Sequence, residues 1–69
     1  MIANDQELET TMSRIAWFQN QVAHMRRKEQ SITNYHASAG GFLAEIERMQ
    51  LEVREYLLVH PRELEVTPS

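Results

Sequence analysis

The feature that most constrains the fold is a regular spacing of apolar residues between positions 42 and 59. Apolar residues recur there at intervals of four, three, four and three, at Phe42, Ile46, Met49, Val53 and Tyr56. This spacing is typical of one face of an α-helix, and no other period fits the stretch. A second apolar line runs beside the first, formed by Leu43, Ala44, Leu51, Leu57 and Leu58. We therefore expect a helix that buries more surface than a single partner helix covers.

A matching pattern lies in the first thirty residues. Heptad counting from Leu8 assigns position a or d to Leu8, Thr11, Ile15, Phe18, Val22 and Met25. Asn4 or Asp5 is expected to begin this helix, because either side chain can accept hydrogen bonds from the free amides of the first turn. The basic run 26–28 is expected to end it, since positive charge complements the negative end of the helix dipole. Helix 1 is therefore predicted over residues 5–28.

A short connection is predicted over residues 29–33, where the periodic pattern lapses. The residues there include the turn and cap formers Ser31 and Thr33, followed by Asn34. A short link between two helices makes them antiparallel neighbours. The fold class predicted is therefore an all-α, coiled-coil-like hairpin of two antiparallel helices.

The start of helix 2 depends on how a glycine pair is interpreted. Extending the heptad backwards places Tyr35 and Ala39 on the apolar face, which favours a start near residue 33 or 34. Gly40 and Gly41 oppose this, since each costs about 1 kcal/mol relative to alanine inside a helix. The alternative is a break at the pair, with the main helix starting at residue 42. We expect a continuous helix over 34–59, in which the glycines allow a bend or the close approach of another backbone.

Proline is absent until the end of the predicted helix 2. His60 precedes Pro61, and a residue before proline avoids the helical region, so the helix should stop near Val59. Residues 61–65 have the composition for one further turn. The tail over residues 60–69 is expected to be partly disordered.

The chain is small for an independent fold and is expected to form one domain, 1–69, that associates with itself. One helical seam offsets too little of the conformational entropy lost by about fifty ordered residues. The chain has no cysteine, so disulfides and thiolate metal sites do not supply the deficit. We expect a homodimer in which two hairpins pack through helix 2 as a four-helix bundle. Its expected interface residues, which could also contact another protein, are Trp17, Leu43, Leu51, Leu57 and Leu58.

Composition and charge favour a soluble, cytoplasmic protein. The first nine residues carry carboxylates where a signal peptide needs positive charge, and no run of about 18 apolar residues follows. The net charge of −3 gives no general attraction to nucleic acid or to anionic membranes. The predominantly acidic polar face of helix 2 also argues against binding at a membrane surface.

Neither catalysis nor a metal site is indicated by the histidines and carboxylates. No Glu is followed by His three residues later, and no two histidines stand four apart, as bundle metal sites require. His36 with Ser38, or Glu45 with Glu52, offers a pair of reactive groups, but no oxyanion or phosphate-binding motif accompanies either pair. The histidines are interpreted as surface or helix-end residues, and the charges of helix 2 as a solvated face. We expect no enzyme activity, cofactor, metal or small-molecule substrate.

One basic run, Arg26, Arg27 and Lys28, is the candidate for phosphate contact. A helix-turn-helix protein that recognises DNA normally needs a compact third helix, and this sequence does not predict one. Nucleic-acid binding is therefore the alternative and not the main expectation. It corresponds to a small dimeric DNA-associated regulator whose affinity is weak and steeply dependent on salt.

A further pattern is spread over most of the chain. It consists of Asn4, Glu7-Leu8, Arg14-Ile15, Phe18-Gln19, Tyr35, Glu45-Ile46-Glu47-Arg48-Met49, Glu52, Glu55-Tyr56-Leu57 and His60-Pro61. The pattern resembles that of small bacterial helical-hairpin proteins, some of which are similar to those found beside helix-turn-helix regulators or in toxin-antitoxin-like gene pairs. The resemblance implies a short cytoplasmic protein that acts by protein–protein association, as an antitoxin-like or regulatory component. It assigns no functional residue. The function expected is a non-catalytic interaction or oligomerisation module.

Overall fold

Two long helices make up most of the structure. The computed structural model describes residues 1–65, with α1 (Asp5–Lys28), α2 (Ile32–Leu57) and a short α3 (Pro61–Glu65). α1 and α2 pack along each other in opposite directions, because contacts join the start of α1 to the end of α2 and later residues of α1 to earlier residues of α2. The prediction of an all-α helical hairpin is confirmed over these residues.

α1 begins directly after Asn4, whose side chain closes its first turn. The Asn4 side-chain oxygen accepts a hydrogen bond from the Glu7 amide at 2.8 Å, and the Glu7 carboxylate accepts one from the Ala3 amide at 2.9 Å. These bonds satisfy amides that the helix leaves free at its start. The basic residues 26–28 occupy the last turn, where their charge complements the helix dipole.

The connection between the helices spans residues 29–31 and is shorter than predicted. The Ser31 hydroxyl accepts a hydrogen bond from the Asn34 amide at 3.2 Å and so caps α2. The Glu29 carboxylate accepts a hydrogen bond from the Ser31 amide at 3.0 Å, which holds the capping residue in the turn. α2 therefore starts at Ile32, one or two residues before the predicted start near residue 33 or 34, because Ser31 provides the cap.

α2 runs without interruption through the glycine pair. Gly40 and Gly41 lie inside the helix, and neither has a positive φ. The continuous helix is thus the correct alternative. A Cβ atom added to either glycine would meet no atom within 4 Å. Close approach of α1 is therefore not the reason for the pair.

α2 ends at Leu57, two residues before the predicted end. The Leu58 amide still donates to the Arg54 carbonyl at 3.0 Å, but the Val59 amide donates to the Tyr56 carbonyl at 3.4 Å. The backbone hydrogen bonds therefore change from a four-residue to a three-residue spacing before the chain reaches Pro61.

α3 follows at once and occupies part of the predicted tail. Pro61 is its first residue, a position where the missing amide hydrogen has no cost. The His60 carbonyl accepts a hydrogen bond from the Glu63 amide at 2.9 Å, and the Glu63 carboxylate accepts one from the His60 amide at 2.6 Å. The further turn predicted over residues 61–65 is thus present as α3, while residues 66–69, the part of the tail expected to be frayed, lie outside the described residues.

The core is a single seam between α1 and α2. Its centre is Ile15, Ile46 and Met49, against which Phe18, Val22 and Val53 pack. Phe18 also meets the edge of Phe42, with ring centroids 5.5 Å apart. Each residue predicted at position a or d of either helix is buried or half-buried, which confirms the periodicity: Leu8, Thr11, Ile15, Phe18, Val22, Met25, Tyr35, Ala39, Phe42, Ile46, Met49, Val53 and Tyr56.

Replacing Gly40 or Gly41 with alanine should stabilise the hairpin. Glycine inside a helix costs about 1 kcal/mol relative to alanine, and the space beside both positions is open. We expect the free energy of unfolding to rise by roughly 0.5–1 kcal/mol for each substitution. Urea unfolding followed by far-ultraviolet circular dichroism measures the change.

The matched control is Ala37→Gly, at an exposed position of the same helix. It should lower the free energy of unfolding by about the same amount, roughly 0.5–1 kcal/mol. Destabilisation by Gly40→Ala would contradict an open position and would place another backbone against the glycine.

Candidate interaction surface

Exposed leucines on α2 form the main candidate surface. Leu43, Leu51, Leu57 and Leu58 are between 49% and 68% exposed, and we name these four residues the leucine face. With about 100° of rotation per residue, Leu51 and Leu58 lie on the side of α2 that points away from α1. Leu43 and Leu57 lie on the flank between that side and the seam. Large apolar side chains gathered on one side of a helix are typical of interaction surfaces, which makes the leucine face the candidate site.

Two opposite charges lie among these leucines. Glu47 is one helical turn from both Leu43 and Leu51, and Arg54 is one turn from Leu51 and Leu58. Both charged side chains are exposed. Neither forms an ion pair within the chain over residues 1–65. The leucine face therefore carries one negative and one positive group that are free to meet another molecule.

The neighbouring charged residues of α2 form ion pairs with one another. Arg48 donates hydrogen bonds to Glu45 and, at 3.1 Å, to Glu52. The hydrogen bond from Arg48 lowers the pKa of Glu45, and the positive charges of Arg48 and of Arg14 on α1 add to that effect. These residues form a solvated network beside the seam, which agrees with their interpretation from the sequence.

The effect of Arg14 on Glu45 also identifies one flank of the hairpin. Each of these residues directly precedes a seam residue of its helix, Ile15 or Ile46. In an antiparallel pair, the residues that precede seam positions in both helices share one flank, and those that follow them share the other. Leu43 follows a seam residue and therefore lies on the flank opposite Arg14.

Trp17 lies on the Arg14 side and not beside the leucines. It directly precedes the seam residue Phe18, and the two rings pack with centroids 5.2 Å apart. Trp17 is 54% exposed and borders a shallow groove of about 690 Å³ on α1 that Arg14 also lines. The structure thus brings the four leucines together on α2 and separates Trp17 from them, although the sequence analysis grouped all five.

The open end of the hairpin holds a second apolar hollow. It measures about 750 Å³ and lies where the first residues of the chain and α3 meet the end of α2. Ile2 is 8% exposed at this place, whereas Leu64 of α3 is 76% exposed. Leu57 and Leu58 line the hollow and so connect it to the leucine face.

A hydrogen bond fixes the same end of the hairpin. The Tyr56 hydroxyl donates to the Asp5 carboxylate at 2.7 Å and joins the last turn of α2 to the first residue of α1. This bond, the burial of the phenol and the negative charges of Asp5 and Glu7 all raise the pKa of Tyr56 above its ordinary value of 10.0. Ionisation of Tyr56 would place two negative charges side by side.

The other residues considered from the sequence lie elsewhere. The basic run Arg26, Arg27 and Lys28 is exposed at the closed end, in the last turn of α1. Nucleic-acid contact through it stays a prediction. His36 and Ser38 are exposed on α2, and His36 packs edge-on against Tyr35 with ring centroids 5.6 Å apart.

Over residues 1–65, no three His, Cys, Asp or Glu side chains are placed to hold a metal ion together. In the same residues, no helix combines the length and apolar character needed to cross a membrane.

No family model, curated protein or solved structure matches this chain. The chemistry of the leucine face is therefore inferred from the arrangement of its own side chains. Glu47 and Arg54 were missed by the sequence analysis as members of this face. Their spacing of seven residues, which repeats one position of the helix surface, is the signal that could have identified them.

Ionisation of Tyr56 should destabilise the hairpin at high pH. The pKa of Tyr56 is raised by folding, so the stabilisation is fully present below pH 10 and is lost as the pH rises through the raised pKa. In a Tyr35→Phe background, Tyr56 is the one remaining tyrosine. Its absorbance titration should show a higher midpoint in the folded chain than in urea.

The variant Asp5→Asn should bring the midpoint in the folded chain down towards the value in urea. Glu9→Gln is the control, since it removes a carboxylate from the same end of α1 without touching Tyr56. Equal midpoints in the folded and unfolded chains would show that the bond to Asp5 is absent in solution.

Proposed function

We propose that this chain is a self-association module in which two hairpins pack through their leucine faces and form a four-helix bundle. Its function is protein–protein association and not catalysis. The observation that carries the proposal is the leucine face itself, a group of half-exposed leucines on the side of α2 that α1 leaves uncovered.

The exposed area of the chain supports an assembly larger than one copy. The chain exposes 5889 Å². A compact monomer of this size exposes about 4500 Å². The difference exceeds the roughly 800 Å² that each partner contributes to a protein–protein interface of standard size. A single hairpin therefore leaves more surface in water than a stable monomer of its length normally does.

The small core supports the same conclusion. Among residues 1–65, the buried side chains are Ile2, Ile15, Ala39, Ile46 and Met49. Chains of this length without disulfides usually gain stability from a metal ion or from oligomerisation. Each leucine that passes from half-exposed to buried at an interface adds on the order of 1 kcal/mol.

A second copy fits the charges of the face better than a strongly charged partner does. Glu47 and Arg54 give the face one charge of each sign, so two identical faces can complement each other. Closed two-fold dimers are the commonest assemblies of identical chains. The resemblance to small bacterial hairpin proteins supports a regulatory or antitoxin-like setting, and this setting is part of the proposal.

Leu51→Glu tests the proposal, because it adds a charge at the middle of the leucine face. We expect the dissociation constant of the dimer to rise about 100-fold, equivalent to about 2.7 kcal/mol. Sedimentation equilibrium at micromolar concentration measures the change. Circular dichroism of the same samples reports whether the hairpin stays folded.

The control for this variant is Ile32→Glu. Ile32 is 76% exposed on the same helix but lies at its first turn, away from the leucine face. This variant should remain dimeric. A fully helical wild-type monomer at micromolar concentration would overturn the proposal, as would equal effects of the two substitutions.

A further inference from the structure

We infer that the two copies meet with their α2 helices antiparallel, so that Glu47 of each copy pairs with Arg54 of the partner subunit. The two-fold axis passes between Gln50 and Leu51. The inference rests on the proposed function and adds to it the direction, the register and the charged contacts of the interface.

The two outer leucines of the leucine face, Leu43 and Leu58, and the two charges between them have a matching pattern when read from either end. A two-fold axis between Gln50 and Leu51 relates Leu43 to Leu58 by their distances from it along the helix. The same axis relates Glu47 to Arg54. A leucine therefore faces a leucine near both ends of the contact, and opposite charges face each other between them.

The charges discriminate between the possible arrangements. In a parallel pair in register, Glu47 faces Glu47 of the partner subunit and Arg54 faces Arg54 of the partner subunit, which is repulsive. An antiparallel register displaced by four residues places Glu47 against Leu58 of the partner subunit and Arg54 against Leu51 of the partner subunit, where each charge loses water without gaining an oppositely charged group. The antiparallel pair about this axis forms two ion pairs at once. A charged or polar group within an apolar helix contact is a well-attested means of selecting one register.

The hairpin leaves both charges available for this contact. Arg48 is engaged by Glu45 and Glu52 of its own chain, whereas Glu47 and Arg54 form no ion pair over residues 1–65. Because α1 covers the opposite side of α2, it does not obstruct the approach of a second copy.

The position of the glycine pair agrees with this register. The axis relates Gly40 to Pro61 of the partner subunit, which lies beyond the end of α2. Gly40 therefore faces no residue of the partner subunit's α2, and alanine at position 40 should leave dimerisation unchanged.

Charge reversal tests the inference. Glu47→Arg alone places two pairs of like charges in the contact, and so does Arg54→Glu alone. We expect each to raise the dissociation constant at least about tenfold, and the double variant E47R/R54E to return it close to the wild-type value. Sedimentation equilibrium of the full chain measures all four proteins.

Mixing the two single variants gives a second result. A heterodimer of E47R with R54E regains two attractive pairs, so native mass spectrometry of the mixture should show mainly the mixed species. Single variants that bind as tightly as wild type, together with dissociation by Leu51→Glu, would overturn the register while leaving the proposed function intact. A wild-type monomer would overturn both.

Cysteine pairing locates the axis directly, because the natural chain contains no cysteine. Leu51→Cys lies next to the axis and should form a disulfide between copies under mild oxidation. Leu58→Cys should not, since the axis separates the two copies of residue 58 by about 22 Å along the helix. A mixture of Leu43→Cys and Leu58→Cys should give the mixed product. Efficient pairing of Leu58→Cys with itself would contradict the antiparallel arrangement.

Discussion

The packing of Ile15 against Ile46 and Met49 is the contact on which the rest of the structure depends. Neither long helix is stable alone in water, because helical stability in proteins comes mainly from packing an apolar face. This contact also fixes the rotation of α2 about its own axis. Once the seam faces α1, Leu51 and Leu58 must point away from it. The surface offered to another molecule is therefore a consequence of the seam.

Much of the fold could be predicted because helical periodicity depends on the spacing of residues alone. The seam positions follow from counting along the chain, and each predicted position is at least half-buried. The ends of α2 could not be predicted as closely from the spacing of residues. Ser31, Thr33 and Asn34 are all good capping residues, and the choice among them depends on the turn, where Glu29 holds the Ser31 amide. The tightened turn before Pro61 likewise depends on backbone geometry that no sequence pattern reports.

The candidate site could be predicted only in part. The exposed leucines follow from the second apolar line of α2. The separation of Trp17 from these leucines depends on the antiparallel packing. In that packing, a residue that precedes a seam position lies on one flank of the hairpin, and a residue that follows a seam position lies on the other. Glu47 and Arg54 are of the same residue types as the solvated charges around them, so the sequence does not distinguish them. The structure does, because it shows that Arg48 pairs with Glu45 and Glu52 and leaves Glu47 and Arg54 out of that network.

The connection of only three residues also bears on the order in which the hairpin and the proposed dimer form. Contacts between α1 and α2 can form outward from the turn, with little loop entropy lost at each step. Helical proteins with such local contacts fold within microseconds to milliseconds. Encounter of two chains is bimolecular and becomes slower on dilution. In the proposed dimer, the time for which a newly folded hairpin keeps its leucines in water would therefore depend on the concentration of the protein, and not on the speed at which the chain folds.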